Sequence, residues 1–321
     1  MPKQRTQTPS HPQARYTHWQ ASLRAIINYH NPAAARSGKA ASYATQAARR
    51  QILWQGFKQL KQLGYHLKDV RHFKEKHLNA LAHHWEAQGL SASRLQNNIS
   101  IFRTFSRWIG KTGMIRGSEH YVSHARSVRR QTKTTVDKTW SGQGVDIESK
   151  LEAVARLDER VAMVLKLQAA FALRMKEASL LRVHQADRQH YLLVDWGTKG
   201  GRDRVVPIEH DWQRQILKEA QALVKRKADS VIPREKNFRQ WQDHFYYVCQ
   251  KVGISRKQGL TSHGLRHERL NQLYEEKTGQ ASPIKGQKKG TVSREEDSIA
   301  RQEVAEVAGH SRPKIAAAYL G

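Results

Sequence analysis

Apolar residues recur at helical spacing through the front part of the chain. After about Tyr43, in "ATQAARRQILWQGFKQLKQLG", the stripe consists of Ile52, Leu53, Gly56, Phe57, Leu60 and Leu63. Spacings of three and four residues place side chains on one face of an α-helix. The pattern therefore predicts an amphipathic helix, and Gly64 is the residue type that commonly ends one.

Two more helices follow with the same periodicity. One covers about 73–88, and "GLS" at 89–91 separates it from the next. Ser91 or Ser93 suits the N-cap of that third helix. Its apolar stripe is Leu95, Ile99, Phe102, Phe105, Trp108 and Ile109. We therefore predict a helical domain over residues 43–125.

The segments on either side of this domain lack the pattern. Residues 1–18 are rich in Pro, Gln and Thr, and "WQASLRAIINYH" gives one short helical stretch before the break at "NPAAARSGKA". We interpret 1–42 as a basic, partly disordered N-terminal extension. Residues 126–146 have no apolar period and carry several Lys and Arg side chains, which predicts a basic interdomain linker.

The rest of the chain, 147–321, combines helical patterns with one candidate hairpin. The strand-like runs "YLLVDW" and "RVVPI" flank a Gly-rich turn that carries Lys199. Helices are expected at about 148–171, 174–183, 211–228, 237–251, 262–276 and 300–319. The predicted fold class is mainly α, with a small β-sheet in the C-terminal domain.

Charge narrows the range of partners. The 321 residues include 56 Lys and Arg but 28 Asp and Glu, which gives a net charge of +28 and a pI of about 10.4. Nucleic acid is the polyanion that would screen this self-repulsion. An anionic membrane is the rival, but no run of about 18 apolar residues exists, and "MPKQRTQTPSHPQAR" has no apolar signal core. The single cysteine, Cys249, excludes an internal disulfide and fits a reducing cytoplasm.

The charge is also unevenly distributed. Residues 1–142 hold 24 basic and 5 acidic side chains, whereas residues 143–321 hold 32 and 23. The front half is therefore expected to contact phosphates, and the two domains to close around a duplex as a DNA clamp. A solvated charged face is the alternative for the first three of the candidate DNA contacts. These candidates are Arg103, Arg107, Lys111, Arg129 and Arg130.

Two segments of the second half suit the binding of an anion. In "FALRMKEASLLRV", read as one helix, Arg174 interrupts an apolar face. It is either an anion ligand or a structural side chain paired with Glu177. In "TSHGLRHERL", His263 and Arg266 lie one turn apart near a helix N-terminus. Helix N-termini and bidentate guanidinium groups both favour phosphate.

The C-terminal segment "VAGHSRPKIAAAYLG" supplies two more candidates. Gly309 suits the end of a helix, His310 follows it in a turn, and Pro313 suits the first turn of a last helix that presents Tyr319. A lone tyrosine at such a position is ordinarily a packing residue. Its place after the other segments gives it a different interpretation.

The order of these segments resembles the catalytic domain of tyrosine recombinases, the phage-integrase family. That family has an Arg with Glu at i+3, a Lys in a hairpin, H-x-x-R, G-H and then a Tyr. Here these stand in "FALRMKEASLLRV", "TKGGRDRVVPI", "HGLRH" and "AGHSRPKIAAAY". The resemblance covers about 148–321, and residues 43–125 are more loosely similar to the family's core-binding domain. It implies an integrase of a phage, genomic island or integrative element.

The resemblance also implies a role for each matched residue. The tyrosine is the nucleophile that forms a 3′-phosphotyrosyl bond with DNA, and the two arginines hold the non-bridging phosphate oxygens. The lysine is the general acid for the 5′-hydroxyl, and the two histidines move protons or hydrogen-bond the phosphate. The matched residues are Arg174, Lys199, His263, Arg266, His310 and Tyr319.

Such a set needs neither a metal nor another cofactor. Phosphoryl transfer depends mainly on positioning and on positive charge around the equatorial oxygens, which two Arg, a Lys and two His supply. The energy of the broken phosphodiester stays in the tyrosyl ester, so ATP is not needed, and the sequence has no P-loop. We expect no metal and no cofactor.

Partners and location are implied as well. The implied partners are double-stranded DNA with attachment-type sites and accessory DNA-bending or directionality factors. The chain is expected to be a monomer or weak oligomer in solution and a homotetramer on DNA. A bacterial or phage protein of the cytoplasm, associated with the nucleoid and not with a membrane, is expected. The alternatives are a chromosome or plasmid dimer resolvase, a type IB topoisomerase-like enzyme and a non-catalytic DNA-binding regulator on the same scaffold.

Three features depart from the family pattern. Phe-Ala precedes Leu-Arg in the first segment, where Thr-Gly is usual. A polar, Gly- and Lys-rich insertion at 277–298 is predicted to be a flexible surface segment. Two residues follow Tyr319, where the family has a tail that docks on a neighbouring subunit. Subunit contacts are therefore expected elsewhere, unless the sequence is a shortened one.

Overall fold

The chain divides into two compact units, Met1–Arg130 and Gln131–Gly321. A computed structural model describes residues 18–33, 40–198, 201–288 and 290–321. None of the helices within these ranges is both long and apolar enough to cross a membrane. The mainly helical fold class with one small sheet is confirmed.

The described residues of the first unit form a cluster of four α-helices. They are α1 (Trp19–His30), α2 (Tyr43–Gln62), α3 (Glu75–Ala87) and α4 (Ala92–Trp108). The apolar stripes meet in one core, whose aromatic residues include Phe57, Phe73, Trp85, Phe102 and Phe105. Gly56 lets α2 approach α4, since a Cβ atom there would lie 2.5 Å from the Phe102 ring. The periodicity of the sequence thus marks the buried faces.

Helix α1 belongs to this core, although it falls within the predicted extension 1–42. Leu23 and Ile27 are fully buried among the side chains of the unit. The Val70 amide donates to Ser22 Oγ at 3.1 Å, which joins α1 to the short helical turn before α3. An apolar stripe of one helix needs a partner surface, and the neighbouring helices provide it.

The second unit contains nine helices and the hairpin within the described residues. The first four helices are α5 (Ile147–Ala155), α6 (Glu159–Phe171), α7 (Met175–Leu180) and α8 (Val183–Ala186). After the hairpin come α9 (Asp211–Leu223), α10 (Phe238–Lys251), α11 (His263–Thr278), α12 (Arg294–Val307) and α13 (Ala317–Leu320). Helix α6 is buried over most of its length, so it is the central helix of this unit.

The hairpin pairs β1 (Tyr191–Val194) with β2 (Arg204–Pro207) in antiparallel register. Tyr191 lies opposite Pro207, and Val194 lies opposite Arg204. Leu192 and Val206 face the core, which fixes the register because a slip by one residue would expose them. The pairing places Arg204 at the end of the hairpin nearest its turn.

The predicted linker 126–146 is divided between the two units. Val128 is buried in the first unit, where its carbonyl accepts from Gln96. Trp140 is fully buried in the second, and its Nε1 atom donates to the Thr261 carbonyl at 2.8 Å. A single buried tryptophan creates no apolar period, so this packing left no periodic signal in the sequence.

The insertion predicted at 277–298 is partly helical. Helix α11 continues to Thr278, and α12 begins at Arg294 with Ser293 as its N-cap. The Ser293 hydroxyl accepts from the Glu296 amide while the Glu296 carboxylate accepts from the Ser293 amide. This capping box fixes the start of α12 several residues before the helix start that we predicted.

Candidate active site

Arg174 lies at the N-terminus of α7, not inside a continuous helix. Ala172 has a φ of +50°, the left-handed conformation, and separates α6 from α7. The break agrees with the helix boundary predicted between 171 and 174, whereas the interpretation of the segment as one continuous helix was wrong. The break turns the Arg174 side chain out of the apolar core while leaving Glu177 in the first turn of α7.

Glu177 binds two arginines. Its side chain is 0% exposed and accepts from Arg174 Nη1 at 2.6 Å. Arg204 on β2 donates to both carboxylate oxygens at 2.8 Å. Burial alone would raise the pKa of Glu177, but the hydrogen bonds and charges of Arg204 and Arg174 lower it to about 2. Glu177 is therefore a carboxylate throughout the physiological pH range.

Arg266 is fully buried in the second turn of α11. Its guanidinium donates to the carbonyls of Ala172 and Ala308, the latter at 2.5 Å. Its Nε and Nη2 atoms both lie 3.2 Å from the Tyr319 hydroxyl. Burial lowers the pKa of Arg266 to about 10, so it remains a cation at neutral pH. A buried cation bound mainly to neutral groups has positive charge available for an anion.

Tyr319 projects from α13 into this cationic pocket and is itself largely buried. The Asn271 side chain of α11 donates to the Tyr319 carbonyl at 3.3 Å and accepts from Ser282. The Thr134 amide donates to the Ala317 carbonyl at 2.9 Å. These backbone contacts hold the short helix in place, although it consists of only four residues.

Three histidines surround the Tyr319 ring. The ring centroids lie 6.3 Å away for His263, 4.9 Å for His267 and 6.5 Å for His310. Burial, followed by repulsion from the protonated form of His263 and from nearby cations, lowers the pKa of His267 to about 3. Desolvation and the charge of Arg266 also lower the pKa of His263, although part of its side chain stays exposed to solvent. Both rings are neutral at pH 7.

The turn after α12 ties the two arginine sites together. The Ala308 carbonyl accepts from Arg174 at 3.0 Å and from Arg266. Gly309 follows with a φ of +71°, and a Cβ atom there would lie 3.1 Å from Arg204. The glycine thus permits both the left-handed turn and the close approach of Arg204. His310 follows directly, at the edge of the same pocket.

The structure brings five of the six predicted site residues together: Arg174, His263, Arg266, His310 and Tyr319. Lys199 lies outside the described residues. Sequence reasoning missed Arg204 and His267. Arg204 stands in the quoted hairpin segment and His267 ends "HGLRH", so their positions beside matched residues were the available signal.

The candidate DNA contacts of the first unit have mixed surroundings. Lys111 Nζ donates to the carbonyls of Arg71 and Phe73 at 2.6 and 2.8 Å. Arg103 donates to the carbonyls of Ile115 and Arg116. These two side chains therefore stabilise loops of their own unit. Arg107, Arg129 and Arg130 are exposed and have surfaces accessible to a ligand.

One group of side chains has the spacing of a metal site but a different role. Ligand atoms of Glu209, His210 and Glu276 lie within 4.8 Å of one another. Arg269 already binds Glu276 at 2.8 Å, and Lys277 binds Glu209 at 3.3 Å. These ion pairs neutralise both carboxylates, so the group is better described as a charge network on the surface of the second unit.

Two family models match the chain in sequence order. Residues 30–115 match the phage integrase N-terminal model, and residues 127–271 match the integrase model. The chain belongs to the tyrosine recombinases. Tyrosine recombinase XerC of Xanthomonas axonopodis pv. citri (strain 306) is 26% identical over 140 residues, which is 44% of this chain and 44% of that protein.

The fold of this tyrosine recombinase is similar to solved structures over nearly its whole length. The Tn1549 transposon integrase in complex with transposon right end DNA has a TM-score of 0.58 at 12% identity, over 94% of this chain and 95% of that one. A lambda integrase dimer bound to a COC′ core site has a TM-score of 0.56 at 15% identity, over 94% of both chains. At these identities, the similarity shows the fold alone.

Proposed function

We propose that this chain is a site-specific DNA recombinase, with the integrase or excisionase activity of a mobile element. It cuts and rejoins double-stranded DNA through a 3′-phosphotyrosyl intermediate. The observation that carries this proposal is the position of the Tyr319 hydroxyl, 3.2 Å from two nitrogens of the buried Arg266 guanidinium. A tyrosine used only for packing has no need of a buried guanidinium on its hydroxyl and three histidines around its ring.

The reaction is a transesterification. The Tyr319 oxygen attacks the phosphorus while its proton passes to a histidine of the pocket, the bond from phosphorus to the 5′-oxygen breaks, and the leaving 5′-oxygen takes a proton. We assign the supply of that proton to Lys199, as the resemblance to the family implies. The number of phosphoester bonds stays the same, so a 5′-hydroxyl from a second strand can reverse the step without nucleotide or metal.

The two arginines stabilise the negative charge of the pentacoordinate state. Arg266 is held by the Ala172 and Ala308 carbonyls, and Arg174 by Glu177 and Ala308, so neither must reorganise when charge develops. The neutral His263 ring and the His310 side chain hydrogen-bond the phosphate or move protons. His267 is buried, and its ring packs against the Tyr319 ring at a centroid distance of 4.9 Å.

Double-stranded DNA with attachment-type sites is the proposed substrate. The first unit, residues 1–130, binds the duplex backbone, and the second unit, residues 131–321, binds the cleaved phosphate. Lambda integrase is a tetramer on a Holliday junction in one structure, and we propose a homotetramer on DNA here. DNA-bending or directionality factors assist it, and the reaction takes place on nucleoid DNA in the cytoplasm.

A nicked suicide substrate tests this proposal. Duplexes from the ends of the element that encodes the protein carry a nick beside the cleavage site, so the 5′-hydroxyl fragment diffuses away. We expect an SDS-stable adduct in EDTA with the native chain, and none with Tyr319→Phe at equal DNA binding. An adduct with the variant would refute the nucleophile. Site-independent relaxation of supercoils would favour a topoisomerase, and binding without any adduct would favour a regulator.

A further inference from the structure

Arg204 is the second arginine on Glu177, and it is less accessible to solvent than Arg174. Its side chain is 7% exposed, compared with 23% for Arg174. Its two Nη atoms take one carboxylate oxygen each, both at 2.8 Å. This is the bidentate geometry in which a guanidinium binds a carboxylate most strongly. Arg204 therefore uses its two Nη atoms to bind Glu177 rather than a phosphate.

Arg174 binds the same carboxylate differently. It donates to a single oxygen through Nη1, and its Nη2 atom donates to the Ala308 carbonyl at 3.0 Å. An arginine beside an unshared carboxylate would form the two-bond geometry itself. Arg204 prevents this because it already holds both oxygens. The remaining donors of Arg174 can then face the pocket of Arg266 and Tyr319.

We propose that Arg204 is a positioning residue for strand cleavage, which acts by keeping Glu177 from capturing Arg174. The inference rests on the proposed function, because it assigns Arg174 to the phosphate. Two consequences follow from the geometry. Loss of Arg204 leaves a buried carboxylate whose nearest cation is Arg174. Neutralising that carboxylate should then release Arg174 again.

The first test replaces Arg204 with Met, which keeps the length of the side chain but removes its charge and fork. Arg202 lies two residues earlier on the same hairpin and is exposed, so Arg202→Met is the matched loss of one charge. With saturating DNA in single-turnover cleavage of the suicide substrate, we expect about a 10²-fold loss for Arg204→Met. Arg202→Met should stay within threefold of the native rate.

The double variant separates positioning from simple structural support. Adding Glu177→Gln to Arg204→Met should raise the cleavage rate about tenfold above the Arg204→Met single variant, because the amide no longer attracts Arg174. A purely structural role predicts a further loss in the double variant, and that result would overturn the proposal. Cleavage by Arg204→Met within threefold of the native rate would overturn it too.

A crystal structure of Arg204→Met gives a readout that does not depend on activity. We expect both Nη atoms of Arg174 on the Glu177 carboxylate and a lost Ala308 contact. An Arg174 side chain in its original place would refute the positioning role even if the chain proved not to cleave DNA. Failure of the native chain to form a Tyr319-dependent adduct would instead count against the proposed function.

Discussion

The residues of the site divide into cations that face the pocket and groups that hold them. Arg266 is fully buried, yet its described partners are two carbonyls and the Tyr319 hydroxyl rather than a carboxylate. Desolvation of such a cation is costly unless an anion joins it. Glu177, the buried acid of the site, is taken by Arg174 and Arg204. We therefore expect a phosphate of the substrate to complete the charge balance around Arg266.

The neutral His267 ring makes the stability of the second unit depend on pH. Its pKa falls from 6.5 to about 3 on folding, so the unfolded chain binds the extra proton below pH 6.5. The stabilisation is complete above pH 6.5 and is lost as pH falls toward 3. We expect His267 to account for about 3 kcal/mol of the free energy of unfolding lost between pH 6.5 and 4.

Denaturant titrations at several pH values measure this dependence. His267→Gln should flatten the loss of stability below pH 6.5, because glutamine takes up no proton. His124→Gln, at an exposed ring, is the matched histidine substitution outside the site. Equal pH slopes for the native chain and His267→Gln would show that the buried ring is not held neutral.

At the scale of elements, the N-terminal turn of α11 rests on the segment that enters the second unit. A Cβ atom at Gly264 would lie 2.7 Å from both the Lys138 carbonyl and the Trp140 ring. Lys285 and the Ser141 amide and hydroxyl bind Glu268 on the same helix. This packing fixes the turn that presents His263 and Arg266.

Gly264→Ala should therefore disturb both stability and chemistry. The methyl group meets a backbone carbonyl and a buried ring, which should lower the free energy of unfolding by about 1–3 kcal/mol and slow adduct formation. Gly142→Ala is the matched control in the segment that packs on α11. Its Cβ atom mainly meets the Asp137 side chain, which can move aside, rather than a backbone carbonyl. An unchanged melting temperature and cleavage rate for Gly264→Ala would contradict the tight packing.

Regular elements were the part of the fold most accessible from the sequence. Helices α1 to α4 and the hairpin follow from apolar spacing and from turn residues. The helix boundary between 171 and 174 was predicted, but the left-handed conformation of Ala172 was not, because alanine favours the helix and adopts that conformation only under tertiary constraints. Trp140 was missed because a lone apolar residue has no period. Five site residues were predicted through order in the chain, whereas Arg204 required knowledge of the register.

At the scale of the whole molecule, both units carry a positive net charge. Dividing the chain at the observed boundary, after residue 130, gives nearly the same charge asymmetry as dividing it after residue 142. Residues 1–130 hold 22 basic and 4 acidic side chains, and residues 131–321 hold 34 and 24. The first unit thus carries a surplus of 18 positive charges, compared with 10 for the second. Counterion release from DNA scales with the number of phosphates contacted.

Most of the salt dependence of DNA binding should therefore come from the first unit. We expect a plot of log K against log salt to be distinctly steeper for the full chain than for a fragment of residues 131–321. The fragment keeps Trp140, whose burial it needs. Equal slopes and affinities in fluorescence anisotropy titrations would mean that the first unit does not contact the duplex backbone.

We propose a covalent bond between Tyr319 and DNA, and peptide mapping of the trapped adduct locates this bond directly. The adduct trapped on a nicked duplex is digested with nuclease and protease and analysed by tandem mass spectrometry. We predict one modified peptide, from the C-terminal segment, with a nucleotide 3′-phosphate on the Tyr319 oxygen. A nucleotide on any other residue, or a 5′-phosphate linkage on Tyr319, would contradict the account.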